Sequence, residues 1–386
     1  MATADYFIEI AHRNIQKAGQ EVCGDVFLSR KLYDEGRTIS VLSDGLGSGI
    51  KANILATLTA SMALNFTVEH QPPERTSQAI RDALPIDQDR KISYATFSIV
   101  DIEYDNETSI VEYGNPPFIV FRGAAPYKGI IRKDFNADIK KCNFCAQRED
   151  RIVLFSDGVS QSGIGRIEMP FGWDSENIEN YISGILEKNP GISAEELAQK
   201  IIGRAYMNDS MHAQDDISCI VIYFRKPRKL LICSGPPYKK EKDRLFADTI
   251  ECFDGNKIIC GGTTAQIIGR ELGLEIETDL FSGDNQLPPV SYMKGIDLVT
   301  EGILTIGKVA ECLESGEMLP EKNPAGKIIR YILANDHIRF LVGTKINEAH
   351  QDPNLPVELE IRRNVIKKIA QILKEKYLKE VEIQFI

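Results

Sequence analysis

An apolar strand that runs straight into Ser-Asp-Gly occurs twice in this chain, and that repetition constrains the fold more than any other feature. The first copy is Ile39 to Gly45, followed by Leu46-Gly47-Ser48-Gly49 and the apolar-periodic run Ile50 to Phe66; the second is Arg151 to Gly158. The glycines let the backbone turn tightly and approach a neighbour with no Cβ in the way. Each copy therefore delivers an aspartate, Asp44 or Asp157, to the end of a buried strand.

Two further places present acids in similar positions. Gly24-Asp25 interrupts the stretch Glu21 to Leu28, which reads as a strand, so Asp25 is either an acid at a bulge or a solvated turn residue. Gln214-Asp215-Asp216 leads into the strand Ile217 to Phe224. Carboxylates converging from several strand ends raise one another's pKa and destabilise a fold unless cations supply the opposite charge. Their hard oxygens suit Mg²⁺ or Mn²⁺, and two such ions roughly 3.5–4 Å apart suit the hydrolysis of a phosphoryl group.

Local patterns place these acids in a mixed domain. Apolar spacing predicts a helix over 50–69 with Ile54, Leu55, Leu58, Met62 and Leu64 on its buried face, and a second helix over 74–84. Residues 94–104, 108–113 and 118–122 alternate as strands joined by short turns, which means antiparallel sheet. After Asp157, residues 158–163 read as a loop, and helices follow near 175–188 and 194–207, the latter with an N-cap at Ser193 and Glu196 three residues on. Phe224-Arg225-Lys226-Pro227-Arg228-Lys229 reads as a connector. Beyond it, strand and helix alternate: strand 230–233, helix 239–249, strand 257–260, helix 265–272, and a long helix 359–379 before a last strand 381–385.

Composition excludes several classes. The net charge of -10 argues against a broad nucleic-acid-binding face. No apolar run reaches the roughly 18 residues needed to span a bilayer, and the first residues lack the features of a signal peptide, so the expected address is the cytoplasm, with no membrane partner. Of the eight cysteines, Cys142 and Cys145 form the one close pair, without the further ligands a structural zinc needs.

Taken together, Cys23-Gly24-Asp25, Ser43-Asp44-Gly45-Leu46-Gly47-Ser48-Gly49, the strand Ala95 to Ile99, Gly114-Asn115-Pro116-Pro117, Phe155-Ser156-Asp157-Gly158 and Asp215-Asp216-Ile217-Ser218 resemble the metal-dependent serine/threonine phosphatases of the PP2C class, most closely their bacterial SpoIIE-like branch. The resemblance runs over about residues 5–226. It implies an N-terminal β-sandwich of two antiparallel sheets flanked by helix pairs over 1–226; with the strand–helix alternation beyond the connector read as a smaller α/β domain over 229–386, regulatory or ligand- or partner-binding, the expected fold class is α/β (α+β).

It also implies in-line hydrolysis of a phosphoserine or phosphothreonine by a metal-bridging water, with two or more Mn²⁺ or Mg²⁺ ions. Asp44, Asp157 and Asp215 would be the catalytic acids: Asp44 bridging the ions, the Gly45 carbonyl on one of them, Asp157 and Asp215 on the other. Asp25 and Asp216 complete the acid set, Asp25 either as a direct ligand or one step removed, because Gly24 stands where many relatives carry another acid. The implied partner is a phosphoprotein, such as an anti-anti-sigma-like regulator, and relatives often form homodimers. No arginine or histidine stands out as phosphate clamp or general acid. Two other readings fit the same residues: a phosphatase-like signalling module without turnover, or a C-terminal domain that senses a phosphate or nucleotide ligand. For the latter the relevant stretch is Gly261-Gly262-Thr263-Thr264, which offers N–H groups and hydroxyls to an anion or, equally, forms a tight turn with a threonine N-cap; Ser234-Gly235-Pro236-Pro237, also after a strand, would strengthen the ligand reading if it shares the same sheet edge.

Overall fold

The computed structural model describes residues 6–83, 95–129, 131–134, 139–279, 287–320, 322–344 and 355–386. The chain divides into two compact units, Met1–Lys226 and Pro227–Ile386.

In unit 1 the order is β1 (Phe7–Ile15), β2 (Val26–Leu32), β3 (Arg37–Gly45), α1 (Gly49–Val68), α2 (Pro73–Ala83), β4 (Ala95–Ile102), β5 (Glu107–Tyr113), β6 (Ile119–Arg122), β7 (Ala125–Pro126), β8 (Ile131–Asp134), β9 (Ile139–Cys145), β10 (Asp150–Phe155), α3 (Asp157–Ser160), α4 (Ser175–Lys188), α5 (Ala194–Asn208) and β11 (Ile217–Arg225). The strands form two antiparallel sheets, β1-β11-β10-β6-β7 and β2-β3-β4-β5-β9-β8. Strand periodicity explains the layering. Ile220, Ile222 and Phe224 of β11 face the core between the sheets with Leu42, while Cys219, Val221 and Tyr223 face α4 and α5. Ile39 and Val41 of β3 face α1 and α2. Each central strand is buried on both faces, which is why these segments read as unbroken apolar runs.

Three local expectations change. The second strand begins at Val26, so Gly24 and Asp25 precede it and do not interrupt it. The cause is packing: a Cβ at Gly24 would stand 2.9 Å from the Ala52 Cβ and 2.8 Å from Asp216 Oδ2, so this stretch is held against α1 instead of pairing. On α1 the buried face is Ala52, Ala56, Ala60, Ala63 and Leu64, whereas Ile54 and Leu58 are about half exposed. Small residues let the helix axis approach β3; spacing alone cannot rank an alanine stripe against a leucine stripe. Residues 157–160 form one helical turn where a loop was expected, and Ser193 caps α5 by accepting the Glu196 N–H at 3.1 Å. Residues 84 and 94, at the ends of the second expected helix and first expected strand of that region, lie outside the described residues. Cys142 is buried and Cys145 exposed, on opposite faces of β9, so they do not present a ligand pair.

Unit 1 also buries a cation. The Arg151 side chain on β10 lies over the Tyr223 ring at 3.6 Å and donates from Nη2 to the carbonyls of Pro190 and Ile192, tying the α4–α5 connection to the sheet. Burial lowers its pKa. Arg151→Ala would strand both carbonyls and leave a cavity, so a loss of about 3 kcal/mol is expected by chemical denaturation, with Arg151→Met recovering the packing part.

His12 on β1 packs its ring against Phe27 at 5.1 Å, and burial, followed by the charge of Arg13, pushes its pKa down from 6.5 to about 4. A group with a lowered folded pKa of this kind contributes its full stability above pH 6.5, where both states are neutral. As pH falls from 6.5 towards 4 the unfolded imidazole gains a proton that the folded one resists. His12→Leu is therefore expected to remove up to about 1.4 kcal/mol per pH unit of stability loss across that window, read as the difference between wild-type and variant denaturation curves.

Unit 2 runs β12 (Lys229–Ser234), α6 (Asp243–Glu251), β13 (Asn256–Cys260), α7 (Gly262–Leu272), β14 (Ile276–Thr278), β15 (Ser291–Met293), β16 (Ile296–Thr300), α8 (Ile303–Ser315), α9 (Pro324–Ala334), β17 (His337–Val342), α10 (Leu355–Glu375) and β18 (Glu380–Phe385). Its sheet has the order β14-β15-β16-β13-β12-β17-β18, parallel from β16 to β18. Apolar residues of α6 and α7 cover one face, and those of α8, α9 and α10 the other.

Candidate metal centre

Strand register brings the acids of unit 1 to one end of the sandwich. Val26 pairs with Ser43, which sets Asp25, the residue before β2, across from Asp44 near the end of β3. In the other sheet Phe155 pairs with Cys219, so Asp157 follows the end of β10 beside the start of β11, where Asp215 and Asp216 precede Ile217.

Glycines permit the close approach. A Cβ on Gly45 would stand 2.2 Å from the Ala52 carbonyl oxygen, and one on Gly158 would stand 2.2 Å from the Asp216 carbonyl oxygen. The second contact is reinforced by Ser156, whose Oγ donates to the Asp216 carbonyl at 3.1 Å and accepts the Ser218 N–H at 3.0 Å. Asp216 is tied into the framework: it is 4% exposed, its Oδ1 accepts the Lys17 N–H at 3.0 Å, and its own N–H donates to Asp215 Oδ1 at 2.9 Å. Asp157 Oδ2 accepts from Gln161 Nε2 at 3.1 Å, and the Lys17 ammonium lies 3.7 Å from Asp215 Oδ1. Ser156 and Ser218 stand in the stretches 155–158 and 215–218 singled out in the sequence, without a role assigned to them, whereas Lys17 and Gln161 had no signal there. Lys17 is one lysine in a loop after β1, and only the fold places that loop beside Asp215.

The electrostatics show what the cluster lacks. Asp44 is pushed up to about 10, first by burial and then by the charges of Asp25, Asp157 and Asp215. Asp25 rises to about 7, mainly through burial, and Asp157 is raised by burial and by Asp215. Asp25 is 4% exposed, and neither of its carboxylate oxygens has a hydrogen-bond partner. The Ser156 and Ser218 hydroxyls lie close enough to temper its rise, but neither completes a well-aligned bond to it. Buried orphan oxygens of this kind are costly, and positive charge is what would satisfy them. The donors are hard carboxylate oxygens, which fit Mg²⁺ or Mn²⁺. Among the described residues no three acid, histidine or cysteine side chains stand as a preformed ion cage. Asp25, Asp157 and Asp215 stand near enough for their charges to act on Asp44.

Among the described residues no helix is long and apolar enough to cross a membrane. No curated protein matches the chain. Solved structures that share its outline include the PP2C phosphatase domain with a regulatory-domain fragment of SpoIIE from Bacillus subtilis, at 18% identity over 58% of this chain and TM-score 0.47. The chain spans 65% of that structure's length. Others are the RsbU and RsbW domains of a Mycobacterium tuberculosis protein (15% identity, 63% of this chain and 67% of that one, TM-score 0.46) and RsbX in complex with magnesium (18%, 57% and 97%, TM-score 0.41). The family model described as Stage II sporulation protein E (SpoIIE) matches residues 34–225, the span that contains Asp44, Asp157, Asp215 and Asp216. That match falls within unit 1, whose two antiparallel sheets are flanked by helices, so this part of the chain is similar to the SpoIIE family domain.

Proposed function

We propose that unit 1 removes phosphate from a serine or threonine of a partner protein, using Mn²⁺ or Mg²⁺, and that it works in the cytoplasm on a regulatory phosphoprotein. The observation that supports this reading most directly is the pair of orphaned, buried oxygens on Asp25 beside an Asp44 crowded by three further carboxylates. When bound, two divalent cations would supply Lewis acidity towards the phosphoryl oxygens and lower the pKa of the attacking water.

The chain's own residues prepare that site. Asp25, Asp44, Asp157 and Asp215 would hold the cations, with the Gly45 carbonyl beside Asp44. Asp216 would act by position: its carbonyl accepts from the Ser156 hydroxyl and its carboxylate from the Lys17 N–H, which fixes where β11 begins, and so where Asp215 stands. Gln161 orients the Asp157 carboxylate through Oδ2. Lys17 balances part of the charge on Asp215, and its 36% side-chain exposure leaves it open to a phosphoryl oxygen of a docked substrate.

Phosphate release from a phosphoserine protein by the full chain is expected to require Mn²⁺ or Mg²⁺, to stop in excess EDTA and to return on adding Mn²⁺. Turnover that persists at full rate in EDTA would refute the reading. Lys17→Ala is expected to raise KM about tenfold, the loss of one charge-assisted contact, with a smaller change in kcat.

A further inference from the structure

Unit 2 carries an unassigned site of its own. Read along the sheet as β16-β13-β12-β17-β18, its parallel strands follow the chain order third, second, first, fourth, fifth. The connection therefore reverses direction between β12 and β17, and in open α/β sheets ligands settle outside the carboxyl ends of the strands at such a reversal. The two glycine-bearing loops do share that edge: Ser234 at the end of β12 pairs with Cys260 on one side and Val342 on the other, so Gly235, Gly261 and Gly343 follow side by side.

Three observations describe what the edge offers. First, α7 and α8 both start there with glycine as N-cap, Gly261 (φ 125°) and Gly302, and neither has a side-chain cap, whereas Asp174, Ser193 and Asn323 cap α4, α5 and α9. The expected threonine N-cap on α7 is therefore absent. The two starts adjoin: a Cβ on Gly302 would stand 3.7 Å from the Gly261 Cα, and the Gly261 N–H donates to the Thr300 carbonyl at 2.8 Å. First-turn N–H groups of a helix have no partner within the helix and carry partial positive charge.

Second, two hydroxyls at this edge are buried and unpartnered: Ser234 Oγ, in a residue 1% exposed, and Thr305 Oγ1, in the first turn of α8 and 0% exposed. Ser234 lies on the same face as Ile232, the face that α8 and α10 cover. Third, the Arg362 guanidinium of α10 reaches the loop after β12; a Cβ at Gly235 would meet its Nη1 at 2.6 Å. Glu301 adjoins Gly302 but is exposed, so water screens its charge.

We infer that the carboxyl edge of the unit 2 sheet binds a phosphate-bearing small molecule, held by the starts of α7 and α8, the Ser234 and Thr305 hydroxyls and Arg362. Glycine at 261 and 302 lets the two helix starts lie side by side, and glycine at 235 lets the Arg362 guanidinium come up against the loop after β12. The dinucleotide fingerprint of three spaced glycines is missing after β12, where Gly235-Pro236-Pro237 stands, which favours a mononucleotide or sugar phosphate over a dinucleotide.

The test is calorimetric titration of the EDTA-treated full chain with inorganic phosphate, pyrophosphate and AMP. Saturable binding of at least one probe is expected. Its Kd should rise at least about tenfold in Arg362→Gln and about threefold in Ser234→Ala, the losses of a charge-assisted and a neutral hydrogen bond. Asp157→Asn should leave it unchanged, which separates this site from the acid cluster of unit 1. Should Arg362→Gln fail to fold, Ser234→Ala decides. No saturable binding of any probe would overturn the inference. So would a Kd indifferent to the folded variants, or one abolished by Asp157→Asn.

Discussion

Asp44→Asn and Asp157→Asn, each in the full chain, are expected to lower Mn²⁺-dependent phosphate release by at least about 10²-fold, more than the 10–100-fold typical of residues that only support a ligand. The stability of the metal-free protein should move the other way. Asp44 is surrounded by Asp25, Asp157 and Asp215, and its charge is opposed by all three. With its pKa raised to about 10, Asp44 must take up a proton to fold at neutral pH; a neutral amide of the same shape removes that cost, so the metal-free Asp44→Asn protein should melt higher than wild type, while the rise in Tm that Mn²⁺ confers on wild type should vanish. A merely structural aspartate would show the reverse, with lower Tm and retained metal response. The paired measurements, a phosphate-release assay and thermal melts with and without Mn²⁺, separate the two. Retained turnover in both variants would end the phosphatase reading.

Gly45→Ala and Gly158→Ala are expected to be among the most damaging single changes in unit 1 although each adds one methyl group. At both positions the new Cβ would stand 2.2 Å from a backbone oxygen, of Ala52 or Asp216, and neither oxygen is at the end of a flexible side chain. Relief requires moving α1 away from β3, or the start of β11 away from α3. The expected cost is about 3 kcal/mol, at the upper end for overpacking, or a fall in Tm on the order of 10 °C. Mn²⁺ affinity should fall with it, because Asp44 and Asp215 ride on the displaced segments. Gly47→Ala is the control. Its φ of 102° strains an L-residue, but nothing lies within 4 Å of the added Cβ, so about 1 kcal/mol is expected, from backbone strain alone. Equal losses at Gly45 and Gly47 would mean that the loop's conformation, and not its packing, is what matters.

Much of the scaffold was legible because its signals are local. Alternation and turn residues marked β4 and β5, apolar runs marked β10 and β11, and Ser193 with the periodic run behind it marked α5. The acids were legible as a set, since an aspartate at the end of each of several buried strands has little local use. What remained hidden depended on contacts between distant segments. Which face of α1 is buried turned on how closely Gly45 lets the helix approach. Whether Gly24 sat within a strand or before it turned on Ala52 and Asp216. Lys17 and Gln161 carry no pattern at all.

The chain's order of residues thus determined the two-part architecture, the antiparallel and parallel character of its sheets, and the identity of the acids, because hydrophobic period and turn chemistry act within a few residues. Only the tertiary structure decided which of those acids face one another and with what partners. Register between β2 and β3 and between β10 and β11, together with glycines that admit backbone contact, sets Asp25, Asp157 and Asp215 close enough for their charges to act on Asp44, and such long-range coupling has no imprint on any short stretch of sequence.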